Sequence, residues 1–326
     1  MSFGIQLTLH LIEATLPFFH TIFFGKYTEL EKGKRARKAR QGRKAIKRVL
    51  GKIWFNDEKT VLTEEEKDLT RRRLEDIASR IYFKVGTVKG ACYIQRLLSP
   101  KDSVVIGIDE YFCAALEKAH KSLQTSEPCD AALYAYLQVD FASALGHELA
   151  HAMKILTHGK DYAYFGNNPV AEEGLEWQHR ALGGFIRTVE NYNRPNYYVD
   201  GAVSGINGMI VIEDIPNARS VKQYAAKGAP LAIRQDLPTP PSVHILWNTS
   251  IVHFIKLCQT SFWQNEFVEK GLTAVQFPKN TGGRMLVKDD GSEQYYEVDE
   301  NDPGNLAPLP KGYVLIQKLV TKIPWT

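Results

Sequence analysis

Residues 131–156 constrain this chain most. They read as one long helix that is apolar on much of its circumference, so the rest of the chain must fold around it. Yet the stretch contains His147, Glu148 and His151 in the run His-Glu-Leu-Ala-His. The flanking Leu145, Gly146, Leu149, Ala150, Ala152 and Met153 carry no charge, which suits a helix inside a domain. A carboxylate placed there needs a partner, because an uncompensated charge in low dielectric is costly. Histidines four apart project from one helix face, one turn apart. Two such imidazoles can each reach a single metal ion at about 2.0–2.1 Å. Glu148, one residue on, sits beside the metal and not on it, placed to take a proton from water at the metal.

A catalytic zinc site takes a third protein ligand and keeps a fourth position open. No third histidine follows at the close spacing of the metzincin type. Twenty residues after His151 comes Ala171-Glu172-Glu173-Gly174-Leu175-Glu176-Trp177, at the start of a helix that begins near Val170 and stops before Gly183-Gly184. Glu172 is the first choice for third ligand, and Glu173, next to Gly174, is the alternative. Glu176 lies one turn beyond Glu172, where a carboxylate can hydrogen-bond a ligand histidine from outside and fix its tautomer.

The remaining chain reads as α+β. Thr63 and Glu66 have the spacing of a capping box, opening a helix through Leu74 and Ile77. Residues 82–88 and 103–109 are β-branched runs that suggest two strands before the long helix. Residues 242–267 return to a helical period, and strand-like runs follow at 284–288, 294–298 and 313–320. The expected organisation is an apolar segment plus basic arm over residues 1–55, then one domain over 56–326 with a C-terminal subregion from about 242.

Residues 3–24 are apolar but interrupted by Gln6, His10, Glu13, Thr15 and His20, with Pro17 as a helix breaker. They make a poor signal peptide and a poor membrane span, so the segment is expected to dock on the domain. An intracellular protein, cytoplasmic or nuclear, is the expectation, with peripheral membrane association as the alternative. Residues 32–48 hold ten Lys or Arg and no acid, leaving about −6 on the rest of a chain whose net charge is +4. Such a run is a solvated arm, a targeting signal, or a contact for nucleic acid or anionic lipid. Cys92, Cys113, Cys129 and Cys258 form no Cys-x-x-Cys pair, which excludes a cysteine-based zinc finger and suggests reduced core residues.

His147-Glu148-x-x-His151 followed by a glutamate at this distance resembles the gluzincin metallopeptidases, the group containing thermolysin and a class of aminopeptidases. The stretch Glu172-x-Gly174-x-x-Trp177 with Gly183-Gly184 is also similar to poorly characterised fungal zincin-like proteins, which often carry Phe where this chain has Leu182. The resemblance covers about fifty residues. It implies a zincin-like fold with a mostly helical core, a small sheet before the active-site helix and a β-containing C-terminal part. It further implies one zinc ion, a peptide or protein substrate, and Glu148 as general base. Residues 103–109 are then the candidate edge strand for binding an extended substrate. Tyr192, Tyr197, Tyr198 and His179 are candidates for stabilising an oxyanion, whereas His244 and His253 read as structural. The alternative is a zincin-fold binding protein without peptidase activity, working through its basic arm.

Overall fold

A computed structural model describes residues 2–31, 51–87, 94–97, 103–123, 128–159, 162–190, 208–213, 243–287, 293–299 and 302–308. The long apolar stretch forms α5 (Pro128–His158), and the other helices collect on it. Leu137, Val139, Phe141, Ala142, Leu145, Ala150 and Ala152 are buried on α5, so much of its circumference faces the core.

The N-terminal segment is part of this core. α1 (Ser2–Ala14) and α2 (Leu16–Phe24) are bent by 66° at their junction. Pro17 sits in the first turn of α2, where a missing N–H costs nothing, and the Thr15 hydroxyl donates back to the Leu11 carbonyl at 2.7 Å. Leu7, Leu11, Phe18, Phe19 and Ile22 are buried, with α1 packed along α5. Docking on the domain is thus what the apolar segment does. Among the described residues no single helix is long and apolar enough to cross a membrane, although the bent α1–α2 pair passes that test on composition alone.

Among the described residues three separate sheets accompany the helices, so the architecture is α+β. The first contains β1 (Thr28–Glu31), β2 (Lys52–Phe55) and β6 (Tyr162–Phe165). β6 follows α5 directly and runs parallel to β2. Its Tyr-Ala-Tyr-Phe sequence lacks polar alternation, as suits a strand with little contact with water. All but the half-buried Tyr162 are buried. The second sheet has the order β3-β5-β4, with β3 (Ile81–Gly86), β4 (Ile94–Leu97) and β5 (Val104–Asp109).

β5 is the central strand, hydrogen-bonded on both sides, and so residues 103–109 are not the edge strand expected to bind substrate. Between β2 and β3 in the chain comes α3 (Glu64–Ala78), opened by the capping box and packed on α2. Glu66 N–H donates to Thr63 Oγ1 at 3.3 Å, and Thr63 N–H donates to Glu66 Oε2 at 3.1 Å. α4 (Glu110–Ser122) follows β5, capped by Asp109.

After α6 (Glu173–Leu182) the chain turns at Gly183, whose φ of 83° closes the helix in the left-handed region. It then enters an antiparallel meander of β7 (Phe185–Glu190), β8 (Gly208–Glu213), β9 (Val243–Asn248), β10 (Asn280–Val287), β11 (Glu293–Asp299) and β12 (Asp302–Pro308), paired in chain order. β9 corrects the helical reading of 242–267. Val-His-Ile-Leu-Trp pairs as a strand, and the helix α7 (Ile251–Leu257) starts only after the Ser250 cap. β10 contains residues 284–287 of the first strand-like run of the tail and β11 contains the second, with residue 288 outside the described residues. Residues 313–320 and the basic arm at 32–48 lie outside the described residues.

Candidate metal centre

α6 crosses α5 at two close approaches, and glycine makes both. The outer edge of the Trp177 ring lies against Gly146 and the His147 ring lies on Gly174; a Cβ at either glycine would overlap atoms of the facing ring. The motif Glu-x-Gly-x-x-Trp therefore has a packing reason: its glycine receives a histidine and its tryptophan covers a glycine. Trp177 Nε1–H also donates to Thr15 Oγ1 at 2.9 Å, tying the bend of the N-terminal helices to α6.

This crossing brings the start of α6 over the His147–His151 face. Glu172 is the N-cap residue of α6, and one of its oxygens, Oε2, accepts from the Leu175 N–H at 2.7 Å. The other, Oε1, lies 2.6 Å from His151 Nε2 and 3.4 Å from His147 Nε2. The candidate ligand atoms of His147, His151 and Glu172 all fall within 4.8 Å of one another, so the three can hold a metal ion. Their side chains are 19%, 17% and 11% exposed, which shields the cluster without sealing it.

The far side of each ring decides its tautomer. His151 Nδ1 faces Glu173 Oε2 at 2.7 Å, and a carboxylate can only accept, so Nδ1 carries the proton. His147 Nδ1 donates to Gln178 Oε1 at 3.0 Å, while the Gln178 amide donates to Ser143 Oγ at 2.7 Å. Both Nε2 lone pairs are thereby aimed at Glu172 Oε1. Three electron-pair donors converging on one point repel each other unless a cation lies among them. Two imidazole nitrogens and a carboxylate oxygen are the donor set of a catalytic zinc site, and the group fits.

Without a metal ion, protons fill that role. Burial pushes both imidazoles down, but the charge of Glu172 and its hydrogen bonds outweigh it. His147 ends above its ordinary value, and His151, with Glu173 adding to the effect, is raised to about 10. Burial likewise pushes both carboxyls up, and their partners reverse it. The two histidines hold Glu172 well below the usual range, and Lys154 and His151 bring Glu173 to about 2.

The other expected site residues divide sharply. Glu148 is half-buried on α5 next to His147, and its negative charge adds to the rise in the His147 pKa. Glu173 does not share the ligand position with Glu172; it backs His151. Glu176 is not the residue that backs a ligand histidine. It accepts from Asn168 Nδ2 at 2.6 Å and from Arg180 Nε at 2.7 Å, because the loop before α6 and the next turn of α6 both offer it a donor. Gln178 and Glu173 take that role instead.

The Nδ1 of His179 is buried without a hydrogen-bond partner among the described residues, and no hydrogen bond joins it to the cluster. His253 donates Nε2–H to the Val275 carbonyl at 3.0 Å and packs on Phe277, a structural role. Tyr192, Tyr197 and Tyr198 lie outside the described residues. Sequence reasoning missed Ser143, Lys154 and Gln178. With the two histidines, Ser143 and Lys154 form a stripe at 143, 147, 151 and 154 on a largely apolar helix, a helical spacing visible in the sequence.

Searches against models of protein families, curated proteins and solved structures give no significant match to the chain.

Proposed function

We propose that this chain is a zinc-dependent hydrolase of the metallopeptidase type, with one zinc ion held by His147, His151 and Glu172, and a zincin-like arrangement around it. The supporting observation is the convergence of His147 Nε2, His151 Nε2 and Glu172 Oε1, with both histidines turned by acceptors behind them. The resemblance of the motif to gluzincins agrees with that ligand order. A zinc ion supplies Lewis acidity, bringing the pKa of water at the site to about 7 and polarising a carbonyl.

The residues of the chain do the rest. Glu148 accepts a proton from the attacking water at its carboxylate, and the water oxygen bonds to the amide carbon. Glu148 then delivers that proton to the leaving nitrogen as the carbon–nitrogen bond breaks, giving an acid and an amine. Gln178 and Glu173 keep the two imidazoles in the tautomer that leaves Nε2 unprotonated.

Glu148→Gln tests this directly. The variant should bind one zinc per chain, measured by plasma mass spectrometry, and lose hydrolysis of a peptide library on the order of 10²–10⁴-fold. Unchanged turnover in that variant would remove the mechanism.

A further inference from the structure

Glu172 and Glu173 are adjacent acids beside His151, yet only Glu172 faces the two Nε2 atoms. What separates them is the set of groups that hold Glu173. Its Oε2 is 2.7 Å from His151 Nδ1, and its Oε1 is 2.9 Å from Lys154 Nζ. The Lys154 side chain is 6% exposed and that of Glu173 5%, so the pair is as deep as a core residue. Neither charge is tolerable alone at that depth, and each is there because the other is.

The lysine sits three residues beyond His151 on the same stripe of α5. Histidine, carboxylate and ammonium are thus strung across one helix crossing. His147 has an uncharged anchor in Gln178 and Ser143. With Lys154 in place, the anchor of His151 also adds no net charge.

We propose that Lys154 is a positioning residue of the metal centre: by gripping Glu173 Oε1 it keeps that carboxylate on His151 Nδ1 and leaves metal ligation to Glu172. The inference rests on the metal reading above. Without Lys154, Glu173 loses the contact that aims Oε2 at the imidazole, and His151 loses a fixed acceptor behind it.

The test uses the full-length protein. Zinc affinity is read by competition with a chromophoric chelator, and coordination by the visible spectrum of the cobalt(II)-loaded protein. Lys154→Met should weaken zinc binding about 10–100-fold and alter the cobalt spectrum, the range found when partners behind metal ligands are removed. Lys154→Arg, which keeps the cation, should restore both. Glu173→Gln should cost a similar factor. Adding Lys154→Met to it should then cost little more, because the lysine acts through that carboxylate.

Fully additive losses in the double variant, or wild-type affinity in a folded Lys154→Met protein, would overturn the role of Lys154. If the methionine variant does not fold, Glu173→Gln carries the test, and wild-type zinc affinity in that folded variant would overturn the role of the lysine, which acts through this carboxylate. The two readings fail separately. Wild-type protein that binds no zinc overturns the proposed function, whereas stoichiometric zinc with additive losses overturns only the lysine.

Discussion

Glu172 has two roles at once. One oxygen caps a helix and the other faces two imidazoles, so backbone geometry aims the candidate ligand. The protonation of the same cluster has a measurable consequence. His151 is raised to about 10 and therefore carries its second proton at neutral pH in metal-free protein. A metal ion needs that Nε2 lone pair, so zinc binding should release at least one proton per ion and tighten as pH rises. Calorimetric titration at pH 7 in buffers of different ionisation enthalpy measures this release, and buffer-independent heats would contradict the geometry. The linked stability has the matching sign. A raised histidine stabilises the metal-free fold fully below pH 6.5 and loses that contribution as pH climbs through about 10.

At the scale of elements, the α5–α6 crossing determines whether the site exists. Both close approaches use a glycine, so Gly146→Ala and Gly174→Ala each force a ring away from its seat. Overpacking of this kind costs about 1–3 kcal/mol. Both variants should lower the midpoint of urea unfolding. Only Gly174→Ala, whose new methyl meets the His147 ring itself, should in addition weaken zinc binding in protein that is still folded. Equal effects on zinc binding would mean that the crossing moves as a rigid unit and that contact with the ligand ring is not special.

Much of this crossing can be read in the chain itself. The His147–His151 spacing, the glutamates after the turn and the Gly183 stop are local signals, and each survives in the structure. Which oxygen of which glutamate faces the metal position could not be read. Glu172 is the extended N-cap and Glu173 the first helical residue, and Lys154, distant in sequence, separates their roles.

For the whole molecule, the N-terminal segment and the basic arm separate into different kinds of sequence. Leu7, Leu11, Phe18 and Phe19 are buried, and Thr15 receives the Trp177 hydrogen bond, so deleting residues 2–24 should leave no cooperative unfolding transition. Replacing residues 32–51 by a two-residue Asn-Gly turn is the contrasting experiment. Glu31 and Lys52 are already paired across β1 and β2, and a short turn suits antiparallel strands. That variant should retain fold and zinc binding, checked by circular dichroism and metal content; its collapse would show that the arm belongs to the core.

Acid stability belongs to this scale too. His20, His158 and His253 come from three different helices, and burial pushes all three below the ordinary histidine value of 6.5, despite the acceptor carbonyls facing His158 and His253. The unfolded chain binds protons that the folded one refuses, so stability contributed by these groups is complete above pH 6.5 and lost as pH falls below it. His147 and His151 act in the opposite sense, so the test is a difference: between about pH 7.5 and 5 the urea midpoint of His253→Gln should lose less, or gain more, than that of the unsubstituted protein.

Residue order alone decided the elements whose causes are local. α5 follows from its apolar period, the cap of α3 from Thr63 and Glu66, the break at Thr15–Pro17 from proline chemistry, and the paired histidines from a four-residue spacing. Long-range packing decided everything that depends on which surfaces meet. β5 lies in the middle of its sheet because β3 and β4 both find it, β6 is a strand because β2 lies beside it, and Glu176 turns to Arg180 and Asn168. Side chains on one helix are placed by a fixed 100° step, and this is why Ser143, His147, His151 and Lys154 are legible as a stripe. The partner of that stripe is chosen by the crossing at Gly146 and Gly174, a contact between residues 27 to 31 positions apart that no local rule encodes.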